Sequence, residues 1–283
     1  MVRRLAAAGI GLALILTTLL ATTGPAQAAP QTRAATSPIK NLPLNAPVDM
    51  QLGGAYAPLR TVKVVDRDSS EPAVKGVYSI CYINAFQTQD YQKDFWTKTR
   101  ARRALLLKDS SGRPREDPNW PGEFILDTST KAKRAAIAKI EYAWIDACAA
   151  KGFQAVDPDN LDTWTRFPQQ LKRADNLALA KLLARRAHAK GLAIAQKNAA
   201  ELSRATRLAV GFDFAVVESC EVYDECGLYD RAYGNRWFEI EYTDNGPDNF
   251  EQACAARGGR ISVVLRDPTI VPRGTEGYSY SEC

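Results

Sequence analysis

The chain has 283 residues, with 37 Lys and Arg against 32 Asp and Glu, for a formal net charge of +5. This mild excess excludes the strongly basic proteins that bind nucleic acids through charge. The basic residues concentrate in the helical stretches 131–139 and 181–190, which we interpret as solvated helix faces. Apart from a short leader, the length suits one α/β barrel, which typically has ~250 residues.

The N-terminus has the three-part pattern of a secretory signal peptide. Arg3 and Arg4 precede an apolar run over 9–20, and Ala26-Gln27-Ala28 offers a small-residue cleavage site. Because the run is short for a membrane span, we predict a signal peptide over 1–28, secretion, and no membrane association after its removal. Residues 29–46 are rich in Ala, Thr, Ser and Pro, which predicts a flexible lead-in.

From residue 47 to 283, apolar runs of strand length alternate with amphipathic helical stretches, as in βα units around a parallel sheet. The predicted strands are 48–52, 62–66, 76–83, 153–157, 192–196, 213–217, 237–241 and 260–265. The predicted helices include 130–150, 173–190, 198–208 and 247–257.

Eight strands predict a single catalytic (β/α)8 TIM barrel over 47–283. The alternative is an open doubly wound sheet, but no Gly-x-Gly-x-x-Gly loop follows any predicted strand. The segment 91–127 is long and rich in proline, and we interpret it as a mobile or lid-like connection after the third strand.

The six cysteines form an even set in a chain predicted to be exported, so disulfides are expected, but the sequence alone does not choose among the 15 possible pairings. Cys220 and Cys226 are close enough in sequence to clip a loop, which leaves Cys254 with Cys283 and Cys81 with Cys148. A zinc site is the alternative, but no Cys-x-x-Cys spacing supports it.

His188 is the single histidine, and it lies among charged residues in a helical pattern, where we interpret it as solvent-facing. A Ser-His-Asp triad or a two-histidine zinc site would have to depend on this one residue. The pattern therefore favours chemistry done by carboxylates, with no cofactor and no metal.

Two acidic clusters, over 152–164 and 211–220, each begin with an apolar run and end in carboxylates. Catalytic side chains of such barrels lie at the carboxyl ends of the strands. There Asp159 is expected just beyond the fourth strand and Glu218 at the end of the sixth. Two facing carboxyl groups are the minimum for breaking a glycosidic bond, so the clusters favour a sugar-cleaving enzyme.

Six motifs, in this order, resemble those of glycoside hydrolase family 114, the endo-α-1,4-polygalactosaminidases. They are Cys81-Tyr-Ile, Trp120-Pro-Gly-Glu123, Gly152-Phe followed by Asp157-Pro-Asp-Asn-Leu-Asp162, Lys197-Asn198, Phe212-Asp-Phe-Ala-Val-Val-Glu218 and Cys220…Tyr223…Glu225-Cys226. The resemblance extends from about Val48 to Leu265. It implies a secreted (β/α)8 barrel that cleaves α-1,4-linked polymers of galactosamine and N-acetylgalactosamine.

The resemblance further implies that Asp159 is the nucleophile and Glu218 the acid and base of a retaining mechanism. The apolar run 214–217 would favour a protonated Glu218, and the polar neighbours of Asp159 would keep it ionised. Three positions depart from the family pattern, namely Asn84, Phe86 and Gln89, so we expect the wall of the site near the third strand to be altered.

Other residues near the strand ends are candidates for substrate binding. The polar candidates are Asp157, Asn160, Asp162, Lys197 and Asn198, and the aromatic candidates for stacking on sugar rings are Tyr82, Trp120, Trp164, Tyr223 and Tyr242. The alternatives are an Asx turn at 157–160, a helix cap at Asp157, Asp162 or Asn198, and a metal held by the aspartates, whose spacing does not match a calcium loop.

Two other functions are compatible with these patterns. One is a carbohydrate-binding barrel that has lost turnover, which the departures at Asn84, Phe86 and Gln89 make worth testing. The other is a hydrolase of a different amino-sugar polysaccharide. The presence of both carboxylates favours catalysis.

Overall fold

The computed structural model describes residues 38–283. The predicted signal peptide and residues 29–37 of the predicted lead-in lie outside the described residues. Within the described part of that lead-in, Leu42 and Ala46 are buried and pack into the core at the start of the barrel.

Eight parallel strands form the sheet, each paired with the next one along the chain, so the (β/α)8 barrel predicted from the sequence is confirmed. They are β1 (Val48–Gln51), β2 (Val64–Asp68), β3 (Tyr78–Asn84), β4 (Ala155–Asp159), β5 (Ala193–Lys197), β6 (Phe214–Glu218), β7 (Trp237–Tyr242) and β8 (Ser262–Arg266). Every predicted strand is present with its ends displaced by two residues or fewer.

Eight α-helices accompany these strands in the described residues. They are α1 (Lys93–Thr97), α2 (Arg100–Arg103), α3 (Lys131–Ala150), α4 (Thr163–Arg166), α5 (Arg173–Ala189), α6 (Arg204–Val210), α7 (Cys226–Tyr233) and α8 (Pro247–Arg257). None of them is long and apolar enough to cross a membrane.

The helix predicted over 198–208 begins later than expected. Its N-cap is Ser203, whose Oγ accepts a hydrogen bond of 3.2 Å from the Thr206 amide. Asn198 and Ala199 have left-handed backbone angles, with φ of 47° and 63°, which an α-helix does not allow. The alternative interpretation of Asn198 as a helix cap is therefore wrong.

The seam between β1 and β8 is bridged by side chains and by an additional strand. β9 (Tyr280–Glu282) runs antiparallel to β8. The Tyr280 hydroxyl donates to the Val48 carbonyl at 3.1 Å. Arg266 donates to the Met50 carbonyl and, at 3.3 Å, to Asp49 Oδ1. The sequence did not predict β9, because a three-residue strand has no periodicity to detect.

Strand alternation divides the buried residues into two cores. One face of each strand, represented by Val64, Ile80, Ala155 and Val216, fills the barrel interior. The other face packs against the helices. Nearer the carboxyl ends, the inward positions change from apolar to polar, and this change creates the floor of a site.

All six cysteines are paired, and the expected disulfides are confirmed. The bonds join Cys81 to Cys148, Cys220 to Cys226, and Cys254 to Cys283. The first ties β3 to α3, and the last ties α8 to the C-terminal residue.

The segment predicted to be a mobile connection is instead a packed excursion over residues 85–130. Trp96, Leu106 and Ile125 are fully buried within it, and short antiparallel bridges connect its turns. Phe86 is also fully buried in this core and does not border the cavity described below. The expectation that Phe86 alters the wall of the site is therefore wrong, because its side chain points into the packing of the excursion.

Glu141 on α3 is fully buried, and neither of its carboxyl oxygens has a hydrogen-bond partner among residues 38–283. Burial raises its pKa well above the usual 4.5. The unfolded chain therefore releases this proton as the pH passes 4.5, whereas the folded protein keeps it, and stability falls as the pH rises above that value.

We therefore expect Glu141→Met to raise the free energy of unfolding by on the order of 1–3 kcal/mol at pH 8, because it removes a buried unsatisfied polar group. The gain should shrink at pH 4, where the unfolded chain also holds the proton. Urea unfolding at the two pH values measures this difference. A gain that is equal at both would contradict the assigned protonation.

Candidate active site

A cavity of about 600 Å³ opens at the carboxyl ends of the strands. The polar layer above the apolar barrel interior forms its floor, and the excursion after β3 forms part of its wall. Nine of the predicted site residues line this cavity: Tyr82, Trp120, Asp159, Asn160, Asp162, Lys197, Asn198, Glu218 and Tyr242.

Asp159 and Glu218 are the last residues of β4 and β6, and Lys197 is the last residue of β5 between them. Asp159 and Lys197 thus belong to their strands and do not follow them, because both strands extend further than predicted. The Lys197 ammonium lies 3.7 Å from Asp159 Oδ1 and 3.7 Å from Glu218 Oε2. These two carboxyl oxygens therefore lie no farther apart than twice 3.7 Å.

The Asp159 carboxyl group is held from two sides. The Tyr82 hydroxyl on β3 donates to Oδ2 at 2.7 Å, and the Asn160 amide donates to Oδ1 at 2.7 Å. Burial, followed by the charge of Asp159, raises the pKa of Tyr82 well above its usual value, so the tyrosine stays a donor. Both oxygens of the carboxylate are held in this way while the group borders the cavity.

The Glu218 carboxyl group has a matching set of contacts. The Tyr242 hydroxyl on β7 donates to Oε1 at 2.6 Å, and Asn198 Nδ2 donates to Oε2 at 2.8 Å. Asn198 Oδ1 in turn accepts a hydrogen bond of 2.9 Å from the Glu218 backbone amide. The apolar surroundings expected for Glu218 are therefore wrong, because the preceding apolar residues pack below it and beside it, and polar side chains meet its carboxyl group.

Tyr82 and Tyr242 were predicted to stack on sugar rings. Their hydroxyl groups instead contact the two carboxylates, and the Tyr82 side chain is buried. The pair is placed symmetrically, one strand outside β4 and one strand outside β6. The sequence signal is that each tyrosine occupies an inward position of its strand, but only strand pairing shows which carboxylate it meets.

Asp157 lies beneath the cavity and is 0% exposed, so the prediction that it binds substrate is wrong. Its Oδ2 accepts a hydrogen bond of 3.3 Å from Lys197, which is itself 1% exposed. Burial raises the pKa of Asp157 to about 6, although Lys197 opposes the shift. The Lys197 ammonium group lies within 4 Å of both Asp157 and Asp159, so it takes the position that a metal shared by these two aspartates would need.

Asp162 borders the cavity as the N-cap residue of α4, but its side chain makes no capping hydrogen bond. Its Oδ1 lies 3.3 Å from Arg166 Nη1. Burial raises the pKa of Asp162, and Arg166 opposes that rise. Arg166 also donates to Asn160 Oδ1 at 2.7 Å, which links the rim to the residue beside Asp159.

Two of the predicted aromatic residues lie away from the cavity. Trp164 belongs to the core between strands and helices, because α4 turns its ring inward. Tyr223 is 70% exposed on the loop clipped by Cys220 and Cys226, outside the cavity lining. Neither can stack on a sugar in this cavity. Trp120 does line it and is 54% exposed.

The excursion supplies residues that the sequence interpretation did not single out for binding. Tyr91 and Glu123 line the cavity, and the Tyr91 hydroxyl donates to Asp68 Oδ2 at 3.1 Å. Glu123 Oε2 accepts hydrogen bonds of 2.7 Å from Gln87 and 3.2 Å from Asn84. Burial raises the pKa of Glu123 to about 7, against the effect of Gln87. A long insertion after a barrel strand lies over the mouth of the barrel, and this position in the sequence is the signal that could have identified Tyr91 and Glu123.

The other two departures from the family pattern have different positions. Gln89 lines the cavity, so it does alter the wall. Asn84 is buried at the end of β3, where its Oδ1 accepts a hydrogen bond of 3.0 Å from Asn160 Nδ2. It therefore supports the loop that follows Asp159.

The sequence profile of glycoside-hydrolase family GH114 matches residues 27–282. Among solved structures, the fold is similar to that of Ega3 from Aspergillus fumigatus in complex with galactosamine. The TM-score is 0.71, with 22% identity and coverage of 88% of this chain and 99% of that chain. The fold is also similar to the glycoside hydrolase domain of PelA from Pseudomonas aeruginosa. There the TM-score is 0.52, with 17% identity and coverage of 81% and 97%.

No curated protein matches the chain in sequence. At the identities above, the two structures establish a shared barrel fold. The family profile extends over almost the entire chain and includes every strand of the barrel. It follows that the chain belongs to glycoside-hydrolase family GH114 and is a glycoside hydrolase.

Proposed function

We propose that the protein is a secreted enzyme that cleaves α-1,4-linked polymers of galactosamine and N-acetylgalactosamine by a retaining mechanism. The observation that carries this proposal is the pair Asp159 and Glu218, which come from the strands on either side of Lys197 and each lie 3.7 Å from its ammonium group at the mouth of the barrel. Retention is inferred from the family resemblance, and the ~5–5.5 Å that a retaining enzyme needs between its carboxyl groups is compatible with the upper limit of twice 3.7 Å between the two oxygens that face Lys197.

In the proposed first step, Asp159 attacks the anomeric carbon and forms a glycosyl ester while the glycosidic bond breaks. Glu218 gives its proton to the departing oxygen. In the second step Glu218 takes a proton from water, the water oxygen attacks the anomeric carbon, and the ester bond to Asp159 breaks. Tyr82 and Asn160 orient the nucleophile, and Tyr242 and Asn198 orient the acid.

The charge of the cavity supports a cationic amino-sugar substrate. Carboxyl side chains outnumber basic ones in its lining, with Asp68, Asp90, Glu123 and Asp162 around the two proposed catalytic groups. The basic groups in the lining, Lys197 and Arg166, are already paired with carboxylates. Free amines of partly deacetylated galactosamine complement such a surface, and Trp120 offers a partly exposed ring face for a sugar.

Two features support secretion. The first 28 residues have the pattern of a cleavable signal peptide. The three disulfide bonds are of the kind that forms and persists in oxidising compartments. Recovery of the mature protein from culture medium, with an N-terminus at Ala29, tests this part of the proposal.

The decisive experiment incubates the mature protein with partly deacetylated α-1,4-polygalactosamine and measures new reducing ends. We expect their steady growth, with NMR showing the α-anomer as the first product. Binding without release would favour the carbohydrate-binding alternative, and activity confined to other glycans would favour a different amino-sugar polymer. Initial formation of the β-anomer would contradict retention.

A further inference from the structure

A second group of ionisable side chains lies beneath the proposed catalytic pair. Asp66 on β2, Asp157 on β4 and Lys197 on β5 are all buried to at least 99%. Asp66 and Asp157 lie within hydrogen-bonding reach of each other. Lys197 contacts Asp157 from above, at 3.3 Å. This buried triad (Asp66, Asp157 and Lys197) includes the ammonium group that both catalytic carboxylates approach.

Three carboxyl oxygens of the triad have no hydrogen-bond donor among residues 38–283. They are both oxygens of Asp66 and Oδ1 of Asp157. Buried acceptors without donors are rare in folded proteins, and each one requires an explanation. If one of two adjacent carboxyl groups carries a proton, its O–H donates a hydrogen bond to an oxygen of the other, and one oxygen of each group gains a partner.

We propose that Asp66 is a protonated carboxylic acid that donates a hydrogen bond to Asp157 Oδ1 and thereby fixes the Lys197 ammonium between Asp159 and Glu218. This makes Asp66 a positioning residue that never touches the substrate. The inference rests on the proposed function for its catalytic consequence, but the location of the proton does not depend on that function.

Charge balance favours this arrangement. With Asp66 neutral, the triad contains one carboxylate and one ammonium group, which form a buried pair. With Asp66 ionised, a second buried anion would face Asp157 at short range and would lack a partner of its own. Burial, followed by the negative charge of Asp157, raises the pKa of Asp66 well above its usual value, and Lys197 opposes the rise.

The groups around Asp66 leave Asp157 as the acceptor of its hydrogen bond. Its register neighbours on β1 and β3 are Met50 and Ile80, which do not titrate. The charged groups that face it are Asp157, Lys197 and Asp159. Asp159 already accepts from Tyr82 and Asn160, whereas Asp157 Oδ1 has no donor within the described part of the chain.

The test compares three variants, Asp66→Asn, Asp66→Leu and Asp157→Asn. The carboxamide of Asp66→Asn can still donate to Asp157, so we expect kcat to fall only a few-fold. Asp66→Leu leaves Asp157 Oδ1 without a donor, and Asp157→Asn removes the charge that holds Lys197. Each of these should lower kcat by on the order of 10²-fold with little change in KM, since both disturb the electrostatic arrangement at the reacting bond.

The pH profile provides a readout that a purely structural role would not move. In the wild type, loss of the Asp66 proton at high pH adds an anion beneath Lys197 and lowers activity. An amide cannot lose that proton, so the alkaline limb of kcat should move to higher pH in Asp66→Asn. If Asp66→Asn were as damaging as Asp157→Asn, Asp66 would be the ionised member and the proposal would be overturned.

An infrared measurement locates the proton without using catalysis. In wild-type protein whose aspartate carboxyl carbons are labelled with ¹³C, a protonated carboxyl band at pH 8 should be present and should disappear in Asp66→Asn. Glu141 does not interfere, because it is not labelled. Absence of this band from the wild type would refute the proposal even if no variant folds. If the band is present but the wild type cleaves no amino-sugar polymer, the proposed function fails and the location of the proton stands.

Discussion

Replacing Glu218 by Gln should lower the rate of polymer cleavage by roughly 10²–10⁴-fold, the usual contribution of a general acid and base. Replacing Asp159 by Asn should remove nearly all turnover, because no carboxylate remains to form the glycosyl ester. Both substitutions keep the shape of the side chain and an acceptor for the neighbouring tyrosine. The thermal midpoint should therefore stay close to that of the wild type.

Substrates with an activated leaving group separate the two roles. The leaving group of an aryl glycoside departs with little protonation, so Glu218→Gln should regain much of the rate of the first step on this substrate. In the same variant, added azide should speed the second step and give a product of retained configuration. Asp159→Asn should gain from neither change. Tyr223→Phe is a matched control, since Tyr223 is exposed outside the cavity. Normal polymer cleavage by either carboxyl variant would refute the assignment.

Lys197→Met is expected to damage both activity and stability. It removes the cation that lies within 4 Å of three carboxyl groups, those of Asp157, Asp159 and Glu218. Breaking a buried ion pair from one side typically costs about 3–5 kcal/mol of stability. Loss of the central charge from the site should lower kcat by on the order of 10²–10³-fold.

The pH dependence gives this variant a specific signature. Burial by itself lowers the pKa of Lys197, but the surrounding carboxylates outweigh burial and raise it well above the usual value, so the wild-type cation persists at neutral pH. Without it, the pKa of Asp157 rises further above its value of about 6. A protonated Asp157 is neutral, so Lys197→Met should be least destabilised at acidic pH and increasingly destabilised as the pH rises.

A double variant distinguishes stability from catalysis. Lys197→Met with Asp157→Asn removes both charges of the buried pair, so it should regain much of the stability lost by the single variant while activity remains low. Unfolding in urea and reducing-end release measure the two effects on the same preparation. Lys181→Met, on an exposed position of α5, serves as the control for loss of a lysine. If the double variant regained wild-type activity, Lys197 would have only a structural role.

The periodicity of the sequence predicted most of the fold. Apolar runs of strand length, such as the one that begins after Gly152, located all eight strands to within two residues, because a strand buried on both faces is a continuous apolar segment. Ends were less certain. The fourth strand includes Asp157 and Asp159, which as charged residues do not resemble the interior of a strand.

Residue type also identified the two carboxylates at the strand ends, but their surroundings depend on strand pairing. Glu218 was expected in an apolar site and instead meets Tyr242 and Asn198, since these residues are brought to it from β7 and from the loop after β5. Asp157 was expected to meet substrate and is buried beneath Lys197. Alternation along a strand determines which residues share a face, but it does not determine the position of each residue along the barrel axis.

The sequence by itself determined the strand and helix pattern, the even cysteine set and the presence of acidic residues where strands end. These are local or compositional properties, which a chain expresses without reference to its distant parts. The tertiary structure alone decided that Lys197 lies between Asp159 and Glu218, that Asp66 lies beside Asp157, and that Trp164 and Tyr223 are away from the cavity. Such placements depend on the register and shear of a closing barrel, which bring together residues from strands far apart along the chain.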